Sequence, residues 1–443
     1  MYTQWKPDSW RSKPAAHQVE YMDKVKYRSV LDSLMLQPPL VFPGEIHKLT
    51  RQIAEAGSGE RFIIHGGDCV ERFQDCNEET ITNKIKIILQ MSTILTHALR
   101  KPVLRLGRIG GQYFKPRSSE RESLNGREVM TYRGDTVNGF PEELRAPDAD
   151  RLTRGYYCAA ATLNYIRAMI SGGFTDLHHP YNWNLHSIGK TEEWAEYSRI
   201  VEQILDAIHF MESIGGMEAV GLNRIEFYTS HEGLHLGFEE ALTRKERESD
   251  SYYNAGAHML WIGERTRDLK GAHLEYFRGI INPIGIKISS RIDPDELNEL
   301  IHILNPDNTP GRLTLITRLG IDKVEESLPR LIRKVLDGGH KVTWSCDPMH
   351  GNTVSTGEGV KTRRFDDILG EIKASHRIHS EIGSSFGGVH FELTGEEVTE
   401  CTGGAVKIMD SDLSTNYQSF CDPRLNYAQS MEIAFMLSRL MKA

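Results

Sequence analysis

Cysteine is scarce in this chain: six in 443 residues, with no pair at CxxC spacing. That excludes a disulfide-stapled scaffold and a compact zinc ribbon, and makes a small buried hydrophobe the default role for each thiol. No run approaches the roughly 18 consecutive apolar residues of a membrane span. The opening segment, MYTQWKPDSWRSKPAA, has neither an apolar signal region nor an Arg/Ser-rich transit pattern, so a cytoplasmic location is expected. Nor is there an excess of positive charge. Fifty-three Lys and Arg stand against 61 Asp and Glu, a formal net charge of −8, which argues against a nucleic-acid or anionic-membrane surface. There is no internal repeat and no low-complexity tract.

What the chain does have is eight short β-branched runs. They are 61–65 (RFIIH), 103–107 (VLRLG), 225–229 (IEFYT), 259–262 (MLWI), 284–288 (IGIKI), 313–317 (LTLIT), 342–346 (VTWSC) and 388–393 (GVHFEL). At or just past the end of each sits a reactive side chain: Cys69, Arg108, Glu232, Glu264 with Arg265, Lys287, Arg318, His350 and Glu392. Strands with functional groups at their C-terminal ends are the layout of a (β/α)8 TIM-barrel enzyme, an α/β fold. Such a barrel takes about 250 residues, so the surplus forms an N-terminal extension over 1–60 and an insertion after the second strand. The expected organisation is one domain over 1–443, with 61–107 and 225–443 as barrel core and 108–224 as loop, barrel helix and inserted helices. Helices are expected at 43–57, at 148–171 with Asp148 or Asp150 as N-cap, and at 191–214. The last carries Trp194, Tyr197, Val201, Ile204, Ile208 and Met211 on one face, either packed on the barrel or forming a subunit interface or effector pocket.

Cys69 (HGGDC), His350 (CDPMHGN), Glu392 (HFELTG) and Asp422 (CDPRLN) match no compact metal motif by spacing. A closed barrel makes the first, seventh and eighth strands neighbours, so one thiolate, one imidazole and two carboxylates can meet as a divalent-metal site. Arg108, Arg265, Lys287 and Arg318 end four other strands. Cations aimed into a barrel mouth are costly without an anion to balance them, and Arg forks suit phosphate and carboxylate. A small, doubly anionic substrate is implied, with Glu264 orienting the Arg265 guanidinium or holding a substrate group through water. Lys115, Pro116, Arg117, Ser118 and Ser119 read equally as a second phosphate clamp or as a plain surface loop. Two anion sites flanking one metal suggest two phosphorylated substrates that are joined together.

The strings GGDCVERF, GRIGGQYFKPRSS, YRGDTVNGF, YTSHEGL, WIGERTR, NPIGIK, PGRLTLITRLG, CDPMHGNT, GVHFELTGEEVTECTGG and CDPRLN resemble the type II (plant-like) 3-deoxy-D-arabino-heptulosonate 7-phosphate (DAHP) synthases. The resemblance runs from about residue 5 to the C-terminus. It implies a metal-dependent condensation of phosphoenolpyruvate with erythrose 4-phosphate, the entry to the shikimate pathway. By that resemblance Cys69, His350, Glu392 and Asp422 are metal ligands, and Arg108, Glu264, Arg265, Lys287 and Arg318 bind phosphoenolpyruvate. Lys115, Arg117 and Ser118 bind erythrose 4-phosphate; Lys287, Glu264 and Arg265 are the catalytic set, with Glu264 a candidate general base. The metal expected is Mn²⁺ or Co²⁺, with Zn²⁺ or Fe²⁺ as second choices.

The resemblance further implies a homo-oligomer, dimer or tetramer, aromatic amino-acid effectors acting through 135–215, and a separate chorismate mutase partner. Cys421, beside Asp422, is a candidate for a disulfide with Cys69 under oxidation. The stretch Ser289–Ser290–Arg291 departs from the family pattern, being more polar and cationic than expected there. Two alternatives remain in view. One is a related barrel enzyme using a different sugar phosphate aldehyde, which the KPRSS string disfavours. The other is a catalytically dead barrel acting as sensor or scaffold, which would need a lost ligand; all four ligand and four cation positions are filled.

Overall fold

The computed structural model describes residues 4–124, 126–172, 195–203, 205–206 and 225–442. Its centre is a closed barrel of eight parallel strands, each hydrogen-bonded to its neighbours in chain order, the last pairing with the first. They are β1 (Phe62–Gly67), β2 (Val103–Arg108), β3 (Tyr228–Glu232), β4 (Met259–Ile262), β5 (Ile284–Ile288), β6 (Leu313–Thr317), β7 (Thr343–Cys346) and β8 (Gly388–Glu392). Seven lie where the sequence places them. The third starts later, because its pairing with β2 begins at Leu106 opposite Tyr228; Ile225 and Phe227 are buried ahead of it without joining the ladder.

Strand β5 shows how sequence sets the inside of the barrel. Ile284, Ile286 and Ile288 pack outward into one cluster with Leu297, Leu300 and Ile301 of a surrounding helix. Alternation along a strand then turns Lys287 to the opposite face, toward the barrel axis. A buried ammonium there is a cost the hydrophobic pattern alone never requires.

The described helices are α1 (Lys24–Met35), α2 (Pro43–Gly57), α3 (Glu78–Leu99), α4 (Asp150–Ser171), α5 (Leu236–Ala241), α6 (Ala272–Phe277), α7 (Pro294–Leu304), α8 (Ile321–Asp337), α9 (Phe365–Ile382) and α10 (Tyr427–Leu440). Helix α2 has the expected bounds, and its Leu49, Ile53 and Ala56 pack with Ile63, Leu104, Leu106, Tyr228 and Met259. It thereby stoppers the N-terminal end of the barrel, leaving the other end for chemistry. Helix α4 is capped differently from expectation: Ala149 is its N-cap with no side-chain bond, and Asp148 instead accepts from the Asp150 amide at 3.1 Å.

Of the helix expected at 191–214, residues 195–203 are helical. Tyr197, Ile200 and Val201 are buried in a core shared with α3 and α10, which is packing on the barrel layer. Trp194, Ile204, Ile208 and Met211 lie outside the described residues. Three antiparallel hairpins were not legible in the sequence: Arg121–Leu124 with Arg127–Met130, Thr243–Lys245 with Tyr252–Asn254, and Thr353–Ser355 with Lys361–Arg363. The third reaches over the barrel mouth.

Candidate active site

Strand register builds the site. Gly67 of β1 lies opposite Glu392 of β8 on one side and Arg108 of β2 on the other, so the first thing the mouth contains is a carboxylate and a guanidinium at one level. Gly67 has φ +147°, and a Cβ there would meet the Arg108 carbonyl oxygen at 2.5 Å. Only glycine lets β1 and β2 close this tightly, and Cys69 follows two residues later.

Sulfur and oxygen of Cys69, Glu392 and Asp422 lie within 4.8 Å of one another. His350 joins through Glu392, its Nε2 3.0 Å from Oε1. Of the four groups that the sequence names, the fold clusters Cys69, Glu392 and Asp422, while His350 stands outside that cluster and touches it at Glu392. This mixed S/N/O donor set suits a divalent transition metal. Glu392 Oε2 is 2.8 Å from the Arg363 guanidinium without meeting hydrogen-bond geometry, so it retains acceptor capacity. A cation already sits against the cluster: Lys115 Nζ is 2.8 Å from Cys69 Sγ and 2.6 Å from Asp422 Oδ2. That is a stand-in charge of the right sign, and the residues present fit a metal. Burial, then a hydrogen bond with Cys421, pushes the Cys69 thiol up; both cysteines are free.

Arg108, Lys115, Arg265, Lys287, Arg318 and Lys361 line one cavity of about 240 Å³ together with Glu232, Glu264, His350 and Asp422. Cations outnumber carboxylates, as an anion site requires. A second cavity of about 200 Å³ is lined by Lys115, Arg117, Ser118, Ser119 and Arg121 and shares Pro116, Arg265, Lys361 and Asp422 with the first. Lys115 thus stands on the wall common to both cavities. Arg117 pairs with Glu122 at 3.0 Å and Ser118 is exposed at the rim.

The groups that sequence reasoning missed are mostly buried partners. Asp347 holds Lys287 through an ion pair and His350 Nδ1 at 2.7 Å, fixing the ring so that Nε2 faces Glu392. Burial alone would raise the Asp347 carboxyl; His350 and then Lys287 overcome it and hold it well below the carboxylate range. Its i,i+3 spacing to His350 in CDPMH was the available signal. Arg108 donates to the Asp68 and Cys69 carbonyls and to Glu392. It also donates to His390 Nε2 at 2.7 Å. Behind it runs a chain down the barrel axis. His390 Nδ1 is 2.8 Å from His65 Nδ1, His65 Nε2 is 2.7 Å from Ser230 Oγ, and Ser230 donates to the Gly107 carbonyl. One assignment satisfies every link: His65 carries its proton on Nε2 and His390 on Nδ1. Burial holds both imidazoles well below their ordinary range, which fits two neutral rings.

Three further carboxylates organise the mouth. Glu71 accepts from the amides of Gly110, Gly111 and Gln112, locking the loop after Arg108. Glu371 accepts from Leu319 and Gly320 amides at 2.9 and 3.0 Å and from the Asn352 side chain at 2.7 Å, tying the Arg318 loop to the His350 loop. Glu232 lines the cavity with Oε1 unpartnered among the described residues, and burial pushes its carboxyl up. Glu264, also on the cavity wall, accepts from Arg267 at 3.0 Å and from the Ser289 hydroxyl and amide at 2.7 and 3.0 Å. The unusual Ser289 is thus the anchor of Glu264.

Residues 5–438 match the Class-II DAHP synthetase family. The chain is 46% identical over 450 residues to a Neurospora crassa protein named phospho-2-dehydro-3-deoxyheptonate aldolase, covering 98% of this chain and 94% of the relative. A Streptomyces coelicolor protein of the same name is 44% identical over 435 residues, covering 98% and 96%. The phospho-2-dehydro-3-deoxyheptonate aldolase AroG of Mycolicibacterium smegmatis is 42% identical over 444 residues, covering 98% and 94%.

The Asp347 geometry has a direct consequence. Asp347→Asn removes the charge that orients His350, and Mn²⁺ affinity measured by calorimetry on metal-stripped protein falls by about 10–100-fold, the usual effect of losing a carboxylate behind a ligating histidine. Unchanged affinity would exclude His350 as a ligand held by Asp347.

Proposed function

The chain belongs to the class-II DAHP synthetase family, and from that membership we propose how the residues of the barrel mouth divide the reaction. The protein is a transferase that condenses phosphoenolpyruvate with D-erythrose 4-phosphate to give 3-deoxy-D-arabino-heptulosonate 7-phosphate and phosphate, the first step of the shikimate pathway to chorismate and the aromatic amino acids.

Cys69, His350, Glu392 and Asp422 would hold the divalent metal; the mixed donor set accepts Mn²⁺, Co²⁺, Fe²⁺ or Zn²⁺, and Mn²⁺ or Co²⁺ is our first choice. When bound, the metal supplies Lewis acidity toward the aldehyde oxygen. Lys115, which pairs with Cys69 and Asp422 and lines both cavities, would with Arg117 and Ser118 receive the phosphate of erythrose 4-phosphate. Arg108, Arg265, Lys287 and Arg318 receive the phosphate and carboxylate of phosphoenolpyruvate and hold C3 in line with the aldehyde carbon. The new C–C bond leaves positive charge at C2, water adds there, and the C–O bond to phosphate breaks. Glu264 holds the loop that carries Arg265. Glu232, whose Oε1 is unclaimed, is the carboxyl placed to take a proton from that water. Gly263 leaves room for it: a Cβ there would meet Glu232 Oε1 at 2.1 Å.

The finer readings rest on the family resemblance. We assign the insertion over 135–215 to aromatic amino-acid control and subunit contact in a homo-oligomer, dimer or tetramer, with a separate chorismate mutase as partner. The whole chain is taken as one decorated barrel domain. No helix among the described residues is long and apolar enough to cross a membrane, in keeping with a cytoplasmic enzyme.

The single observation carrying this account is the convergence of Cys69, Glu392 and Asp422 beside a cation-lined cavity. Metal-stripped protein should not consume phosphoenolpyruvate in the presence of erythrose 4-phosphate, and Mn²⁺ should restore turnover. Cys69→Ala should fail to respond. Full activity after stripping, or in Cys69→Ala, contradicts the metal assignment. A pH test isolates Lys287, which burial pushes down to about 8 against the pull of Asp347. The lysine is charged below that value and neutral above it, so kcat/KM for phosphoenolpyruvate should fall as pH rises through about 8. Lys287→Arg should remove that limb from whatever activity it retains. A wild-type profile flat into the ordinary lysine range would contradict a lowered Lys287.

A further inference from the structure

Away from the barrel mouth, two cysteines meet where the turn after β1 abuts α4. Cys76 closes the short 3-10 turn Phe73–Asp75 and immediately precedes Asn77, the N-cap of α3. Cys158 lies within α4. The Cys76 sulfur is 3.4 Å from the Cys158 carbonyl oxygen and 3.5 Å from Thr162 Oγ1, and the Cys158 side chain is its neighbour. The contact is built, not incidental: the guanidiniums of Arg151 and Arg154 lie 5.4 and 4.8 Å from the Phe73 ring centroid, docking α4 on the turn. Unlike Cys346 and Cys401, both cysteines are only partly buried. Both line an open surface cavity of about 540 Å³ with Arg154 and Tyr157, so a small oxidant can reach the pair.

We propose that Cys76 and Cys158 form a peroxide-reactive dithiol, with Cys76 the attacking sulfur and Cys158 the resolving one. The assignment of roles follows from the surroundings. The adjacent Cys158 side chain lowers the Cys76 thiol to about 6, burial opposing and Thr162 and Lys84 assisting, while the same pairing and burial push Cys158 up. A thiolate at neutral pH, reachable and beside a second thiol, is the arrangement of a reactive cysteine. The Cys76 thiolate attacks one oxygen of hydrogen peroxide. An S–O bond forms, the O–O bond breaks, and the departing hydroxide takes up a proton as water. The Cys158 sulfur then attacks the Cys76 sulfenic acid. The S–S bond forms, the S–O bond breaks, and the Cys158 proton leaves with the hydroxyl as a second water. Two thiols and one peroxide thus become one disulfide and two waters, and a dithiol reductant reverses the change. The bridge would tie the turn that follows Cys69 and Glu71 to α4.

Peptide mapping of the Mn²⁺-loaded protein after brief peroxide treatment tests this. Trypsin releases Cys76 in Phe73–Lys84 and Cys158 in Gly155–Arg167, so the bridge appears as one dithiothreitol-sensitive cross-linked pair. In Cys158→Ser the sulfenic acid should persist and be trapped by dimedone on Cys76, at least about tenfold faster than on Cys346 or Cys401. In Cys76→Ser, Cys158 should not be trapped. Cys76 reacting no faster than the two buried cysteines overturns the proposal, as does a trapped Cys76 in Cys158→Ser with no cross-link in the unaltered protein. Correct folding of each variant is read from its thermal transition.

Discussion

Glu392 is a carboxylate with no exposed surface, and each group that balances it comes from a different part of the chain. Arg108 approaches from β2, Arg363 from the hairpin over the mouth, and His350 from the loop after β7. Burial disfavours its charge, but His350, Arg363 and Arg108 together hold the carboxyl well below its ordinary range. Removing one partner from a buried pair of this kind typically costs roughly 3–5 kcal/mol, because the other charge is left uncompensated. The same interactions fix where the thiol of Cys69 and the carboxylate of Asp422 come to rest. Barrel closure and site assembly are therefore one event.

Around that centre a second set of buried carboxylates works on the backbone. Glu71 gathers three consecutive amides after Arg108, and Glu371 bridges the loops that carry Arg318 and His350. Asp347 joins Lys287 to His350. Each turns a loop end into a fixed point, as preorganised charge demands. The neutral His65–His390 pair extends this support to the barrel axis beneath Arg108. The cations that line the cavity are thus held in place by the protein's own carboxylates, carbonyls and imidazoles.

Seven of eight strands and the strand-end residues were legible because parallel barrel strands are short β-branched runs, and a charge at the end of one stands out against them. The third strand was misplaced by three residues because Ile225–Phe227 is as apolar as the strand proper; only pairing tells them apart. Glu71, Glu371 and Arg363 were not legible, since nothing local distinguishes a buried charge from a solvated one. Arg363 sits in KTRR, which reads as a surface string, yet the hairpin turns it fully inward. Ser289 read as an anomaly until Glu264 was seen to lean on it.

The central claim is that ends of non-adjacent chain segments make one cation site with sulfur in its coordination. Co²⁺ titrated into metal-stripped protein reads this directly, because thiolate ligation gives a sulfur-to-cobalt charge-transfer band in the near ultraviolet that oxygen and nitrogen ligands do not. The account predicts that band at one equivalent of Co²⁺ and its loss in Cys69→Ser with d–d absorption retained. Co²⁺ binding with no such band, or a band unchanged in Cys69→Ser, would contradict it.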